Sequence, residues 1–187
     1  MNIVTMRTGI VIRGVSVGDA PALGDFFTAA AADAETVSFF HPHPFTREFA
    51  EELCRRAALC RDRYYVACYQ DRVTAYMMLR GWDEGYAVPS FGVCNHPALR
   101  DVGLGQMLLA HAIEESRSAG APQLRLTVFK SNERAVHVYR KFGFVFHDKN
   151  ERELVGLLDL TNCPTIPVRP LNLTKIQTWF DSQIQAA

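Results

Sequence analysis

One passage constrains this 187-residue chain more than any other: Val93-Cys94-Asn95-His96-Pro97 followed by Arg100-Asp101-Val102-Gly103-Leu104-Gly105-Gln106. An extended run stops before Arg100, glycines follow at 103 and 105, and an apolar helical pattern begins directly after them. That order describes a strand, a tight turn and a helix N-terminus. The first N–H groups of a helix have no intrahelical partner and the helix dipole adds positive potential, so the turn suits an anion. Two nucleotide motifs are excluded here. There is no G-x-x-x-x-G-K-[ST], and Leu108 stands where a dinucleotide fingerprint needs its third glycine. The plain structural alternative is a strand-to-helix turn that holds no ligand.

Further on, Ser131-Asn132-Glu133-Arg134-Ala135 leads to Tyr139-Arg140-Lys141-Phe142-Gly143-Phe144, a second passage from strand to helix with Gly143 as its stop. Around these two passages, β-rich runs predict strands over 8–13, 64–69, 73–79, 86–95, 124–129, 144–150 and 154–160. Gln70-Asp71-Arg72 makes the second and third of them a hairpin. Apolar residues three and four apart predict helices over 22–34, 47–59, 103–118 and 132–142, the first fading before Phe39. Pro21 suits a first helical turn and Thr46 an N-cap. Pro89 and Gly92 predict a break in pairing along 86–95.

Lys plus Arg equals Asp plus Glu at 20 each, so overall charge favours neither nucleic acid nor an anionic membrane as partner. Five cysteines, Cys54, Cys60, Cys68, Cys94 and Cys163, at irregular spacing read as free thiols in a reducing compartment. With no leader-like start and no run of membrane-spanning length, the expected location is cytoplasmic. Residues 1–160 read as one domain. After Leu160 the composition changes, with Pro164, Pro167 and Pro170 ahead of a helical pattern at Leu173, Ile176, Trp179, Phe180 and Ile184. Residues 161–187 therefore read as an appendage whose apolar face packs on the domain or on a second copy, the latter giving a homodimer.

The spacing Arg100-x-x-Gly103-x-Gly105, joined to Asn132, Ala135, Tyr139 and Gly143-Phe144, resembles the GNAT superfamily of acyl-CoA-dependent N-acetyltransferases. The resemblance implies an α+β fold in α/β/α layers. Its mixed, mostly antiparallel sheet of six to seven strands would carry about four helices and a splayed strand pair as the acyl-CoA groove. It also implies that main chain at Val93, Cys94 and Asn95 bonds the pantetheine arm. Arg100 and Asp101 would lead into a pyrophosphate cradle of Val102, Gly103, Leu104, Gly105 and Gln106, with Asn132, Ala135 and Tyr139 also on the cofactor. Asn132 and Tyr139 lie seven residues apart on one helix, about 10 Å along its axis, so one can meet the arm and the other the thioester. The implied donor is acetyl-CoA, with direct transfer and no metal.

An amine attacks only when neutral, and a lysine-like amine has a pKa of about 10.4, so a base or water chain is required. A strand N–H near Val93 is the natural oxyanion donor, and Tyr139 is placed to protonate the departing thiolate. Many members of the family use a glutamate on or near the strand before the turn, whereas no carboxylate occurs here between Tyr86 and Asn95. The candidate bases are Glu84, beside Asp83 just upstream, and the histidines of His41-Pro42-His43-Pro44, whose alternate residues face one way in extended chain. Against these stand a solvated acidic turn and a proline-braced loop. His96 reads as a turn residue, His111 as a helix-surface residue and Cys94 as a small buried one. The acceptor is expected to be a small-molecule amine, with a resemblance of the His-Pro-His-Pro loop to members acting on amino sugars. A peptide acceptor and a catalytically idle acyl-CoA-binding module are the alternatives.

Overall fold

The computed structural model describes residues 4–5, 9–162 and 168–185. Its elements run β1 (Val4–Thr5), β2 (Ile10–Gly14), α1 (Ala20–Ala31), α2 (Ala34–Phe39), α3 (Arg47–Arg56), β3 (Arg63–Tyr69), β4 (Arg72–Arg80) and β5 (Ser90–Asn95). They continue with α4 (Leu104–Ser118), β6 (Gln123–Phe129), α5 (Glu133–Lys141), β7 (Val145–Asp148), β8 (Glu153–Asp159) and α6 (Leu173–Gln185). One eight-stranded sheet has the order β1-β2-β3-β4-β5-β6-β8-β7. Among the described residues the two-residue β1 and the short α2 were not expected from the sequence, while α6 forms where the helical pattern from Leu173 was read.

All neighbours in the sheet are antiparallel except β5 and β6, which are parallel and pair only at Ser90↔Arg125. Beyond that single pair the two strands part. β3 and β4 are buried on both faces, and period-two alternation sends their side chains into two cores. Tyr65, Ala67, Ala75 and Met77 join α4, α5 and α6 in one, while Tyr64, Val66, Tyr76 and Met78 join α1 and α3 in the other.

Three local departures from the sequence reading have identifiable causes. The alanine-rich helix stops at Ala31, because Asp33 is extended and its carboxylate accepts the Thr36 N–H at 2.7 Å, which starts α2 as a separate helix. The helix capped by Thr46, which accepts from the Phe49 N–H at 3.1 Å, ends at Arg56, and Leu59 lies exposed beyond it. The strand expected over 86–95 begins only at Ser90: Pro89 has no N–H to donate, its carbonyl accepts from the Arg125 N–H at 3.0 Å, and Tyr86 is exposed. Part of the first expected strand, Thr8, lies outside the described residues.

Of the two covers considered for the C-terminal apolar face, the structure shows the domain itself. Ile176, Trp179 and Phe180 are buried in the core shared with α4 and the sheet, and burial of each such side chain is worth about 1.5–3 kcal/mol. The Asn172 N–H donates to the Val102 carbonyl at 2.9 Å and Lys175 Nζ to the Arg100 carbonyl at 2.9 Å, so the segment is fastened to the glycine turn. Cys54, Cys60, Cys68 and Cys94 are free thiols, and Cys163 lies outside the described residues. Among the described residues no helix is long and apolar enough to cross a membrane.

Candidate active site

Where β5 and β6 part, a cavity of about 1070 Å³ opens, running from the glycine turn past both strands to α2 and the β7–β8 hairpin. The antiparallel pairing of β5 with β4 fixes which backbone groups face it. The His96 N–H donates to Thr74 of β4, so by alternation the N–H groups of even-numbered residues in β5 point to β4 and those of Val93 and Asn95 point away from it, into the opening. A strand that lost its second neighbour thus presents free donors to the cavity. Asn95 also lines it, and its Oδ1 is buried without a partner among the described residues.

The turn supplies further donors. Asp101 at φ +63° and Gly103 at φ +97° alternate with ordinary residues, a backbone form that curls N–H groups inward. The first turn of α4 closes with the Met107 N–H on the Gly103 carbonyl at 3.1 Å, which leaves Leu104, Gly105 and Gln106 as first-turn donors. Glycine is required twice for different reasons. At Gly103 a Cβ would be strained by φ and would meet the carbonyls of Arg169 and Pro170 at 3.3 Å; at Gly105 it would meet the Asn95 amide at 3.3 Å. Val102 and Leu104 bury their side chains in the core and can offer a ligand only main chain.

Arg100 lines the cavity, and its side chain is already engaged within the protein. Its guanidinium bonds Asp33 and donates to Thr36 Oγ1 at 2.8 Å, with Glu35 at 3.7 Å. That bond holds the Asp33 carboxyl well below the usual carboxylate range. Arg100 therefore ties α2 to the turn, and Asp101 is likewise engaged, accepting from Arg134 at 3.1 Å. Asn132 caps α5 by accepting the Ala135 N–H at 3.2 Å, and both residues line the cavity. Cys94 turns its thiol into the α1–α3 core, where burial pushes its pKa up to about 12. That is the setting of a packing residue.

Tyr139 reaches the cavity from α5, its ring 6.4 Å from Phe91 edge-on and 5.8 Å from Phe144. Burial raises its pKa to about 12, so the phenol keeps its proton at neutral pH. Among the described residues its hydroxyl has no hydrogen-bond partner and remains available.

At the opposite end Glu84 lines the cavity from an exposed turn, while its neighbour Asp83 accepts the Arg61 N–H at 2.7 Å. The two loop histidines diverge. His41 lines the cavity, 5.1 Å from the Phe129 ring, and its Nε2 lies 3.0 Å from the Val37 carbonyl. His43 stacks on Phe49 at 4.4 Å among Phe27, Phe40, Phe45 and Tyr76, outside the cavity lining, and burial lowers its pKa to about 4. The expectation that both histidines face the acceptor fails because the loop is not regularly extended. His96 does hold a turn, accepting the Ala98 N–H at 3.3 Å, but His111 is half-buried against Tyr65 at 4.9 Å rather than on the helix surface.

Several lining residues escaped the sequence reading. Arg125, Thr127 and Phe129 share one face of β6 opposite the buried Leu124, Leu126 and Val128, an alternation that was readable once the strand was placed. Arg134 lies in the first turn of α5, two residues after the cap Asn132. Arg169 could not have been found, since it arrives from the C-terminal segment, its N–H donating to Gln106 Oε1 at 3.2 Å.

Comparison with known proteins agrees with this geometry. A streptothricin acetyltransferase of Streptomyces lavendulae is 35% identical over 65 residues, 35% of this chain and 33% of that protein. The chain thus spans about a third of that relative's length. The L-amino acid N-acetyltransferase AaaT of Escherichia coli is 26% identical over 138 residues, 72% of this chain and 82% of that protein. In fold, the structure of yncA from Salmonella typhimurium with its cofactor acetyl-CoA superposes with a TM-score of 0.66 at 18% identity, covering 85% of this chain and 98% of that one. The model of the acetyltransferase (GNAT) family matches residues 29–144, more than half of the sequence, from the last turn of α1 through the end of α5. The chain belongs to that family.

Proposed function

We propose that the protein is an acetyl-CoA-dependent N-acetyltransferase acting on the primary amine of a small molecule. The observation that carries this reading is the meeting, in one cavity, of the first-turn donors of α4, the unpaired edge of β5 and the Tyr139 hydroxyl. The residues fit acetyl-CoA: glycine-cleared N–H groups at 104–106 suit a pyrophosphate, and the orphaned Asn95 Oδ1 suits an amide donor of the pantetheine arm. Acetyl-CoA supplies the acetyl thioester. The Val93 N–H donates to the carbonyl oxygen as negative charge develops there, a contribution typically worth about 3 kcal/mol for one positioned donor. The Tyr139 O–H passes its proton to the departing sulfur. Glu84, the carboxylate nearest the sequence position where the family places its base, takes the amine proton through solvent.

Two features favour a small acceptor. The cavity is walled by α2, the loop through Pro42 and the β7–β8 hairpin as well as by the two strands, and the relatives above carry names of small-molecule enzymes. Of the His-Pro-His-Pro loop that resembles members acting on amino sugars, His41 lines the cavity and His43 packs in an aromatic cluster. The test is a panel of amines with purified protein and acetyl-CoA, reading thiol release. Turnover of at least one small amine is expected; tight acetyl-CoA binding with no turnover of any amine or peptide would favour the idle module instead.

A further inference from the structure

The cavity's cations are not alike in how their charge is met. Arg80 has Asp62 at 3.8 Å, Arg134 has Glu35 at 2.8 Å, Lys149 has Glu153 at 2.9 Å, and Arg100 is bonded to Asp33. Arg169 has no carboxylate among the described residues, but it is exposed at the turn. Arg125 is the exception at the other end. It is half-buried, it lines the cavity on the face that carries Thr127 and Phe129, and the partner of its guanidinium among the described residues is a neutral hydroxyl, Ser90 Oγ at 3.2 Å. A permanently charged guanidinium held part-way out of water with only a serine to orient it is a site for an anion, with planar donors suited to a carboxylate.

Its position sets the size of that anion's carrier. Ser90 and Arg125 form the last closed rung of β5 and β6, and Val93 lies three residues further along β5, about 10 Å at the strand rise of about 3.3 Å per residue. A charge-assisted contact takes about 2.8 Å at one end of that gap and the bond from the Val93 N–H to the reacting carbonyl oxygen about 2.9 Å at the other, so only a carrier whose amine lies a few bonds from its anionic group fits between them. An α-amino acid has that span. We infer that the acceptor is an α-amino acid whose carboxylate is bound by Arg125 and Ser90, with its side chain toward the Phe39–Phe129 ring pair. That pair is 6.2 Å apart between centroids and gives this end an apolar wall.

This inference rests on the acetyltransferase reading, and the experiment separates the two. L-leucine, leucinamide and 3-methylbutylamine differ at the carboxylate alone and are compared by thiol release with acetyl-CoA, and by calorimetric titration into protein saturated with coenzyme A. Leucine is expected to exceed the other two by about 30-fold in kcat/KM and in affinity, the loss expected for a charged hydrogen bond. Arg125→Ala should abolish that preference by raising the KM for leucine, with acetyl-CoA affinity unchanged. Equal use of the three compounds, an equal effect of Arg125→Ala on all of them, or weakened coenzyme A binding in the variant would each overturn the proposal while leaving an acetyltransferase. If no amine turns over, the acetyltransferase reading fails, and the calorimetric comparison of leucine with leucinamide still decides whether Arg125 holds a carboxylate.

Discussion

At the turn end of the cleft, the groups that face a ligand are the backbone donors of Leu104, Gly105 and Gln106; at the other end they are the side chains of Glu84, Arg125 and Phe129. The backbone end comes from one continuous segment. Its form depends on two glycines and a helix start, and every side chain of the segment can be used elsewhere, as Val102 and Leu104 are in the core. The side-chain end is assembled from α2, the β4–β5 turn, β6 and the β7–β8 hairpin, which are distant in sequence. A cofactor site of the first kind tolerates change around it and leaves a motif. An acceptor site of the second kind changes with any one of its contributors, so members of one fold can carry different names for their substrates.

Tyr139 is the point at which the two ends meet, and its loss has the largest expected effect. Tyr139→Phe should lower kcat by about 10²–10³-fold, within the range for one general acid, with acetyl-CoA affinity within twofold of the parent. Unchanged turnover would remove the residue from the chemistry and leave it an aromatic of the cavity wall. Gly103→Ala attacks the backbone end. Its φ of +97° and the carbonyls of Arg169 and Pro170 at 3.3 Å predict a cost of about 1–3 kcal/mol, read as a fall of roughly 2–12 °C in Tm together with weaker acetyl-CoA binding. A variant with parental Tm and affinity would show that the turn is not the rigid cradle described.

Smaller effects sharpen the contrast. Arg169→Ala removes the one cavity cation contributed by the C-terminal segment, and a several-fold rise in the acetyl-CoA dissociation constant, shrinking as salt is added, is expected for an exposed charge near phosphate. The same substitution should leave the KM of the acceptor alone. His43 tests the acceptor loop through stability. Its pKa is about 4 in the folded protein against an ordinary 6.5, so as pH falls the unfolded chain takes up the proton first. The stabilisation is whole above pH 6.5 and is withdrawn between 6.5 and 4. His43→Phe, which keeps a ring in the cluster, should flatten the fall of Tm across that interval; an unchanged slope would mean that His43 titrates as if exposed.

Much of the fold was legible because local rules were obeyed. Thr46 caps the helix it precedes, the hairpin around Gln70 forms, and the helices after Gly103 and Asn132 begin within one residue of expectation. The misread parts were those where a distant partner decided the outcome. Asp33 divides the alanine-rich helix while Arg100, 67 residues away, bonds its carboxylate. The late start of β5 was the exception, since Pro89 had already marked a break in pairing there.

The sequence by itself determined the form of the turn end: two glycines, a helix start and the Asn132-to-Phe144 run suffice, because backbone donors need only local conformation to be aimed. Only the tertiary structure decided the rest of the cleft. It placed His41 in the cavity and His43 outside it, seated the C-terminal helix in the core, and left Arg125 facing the opening with no carboxylate partner among the described residues. Whether a charge is met, or a histidine buried, depends on which side chains arrive from elsewhere in the chain, and no local pattern encodes that arrival.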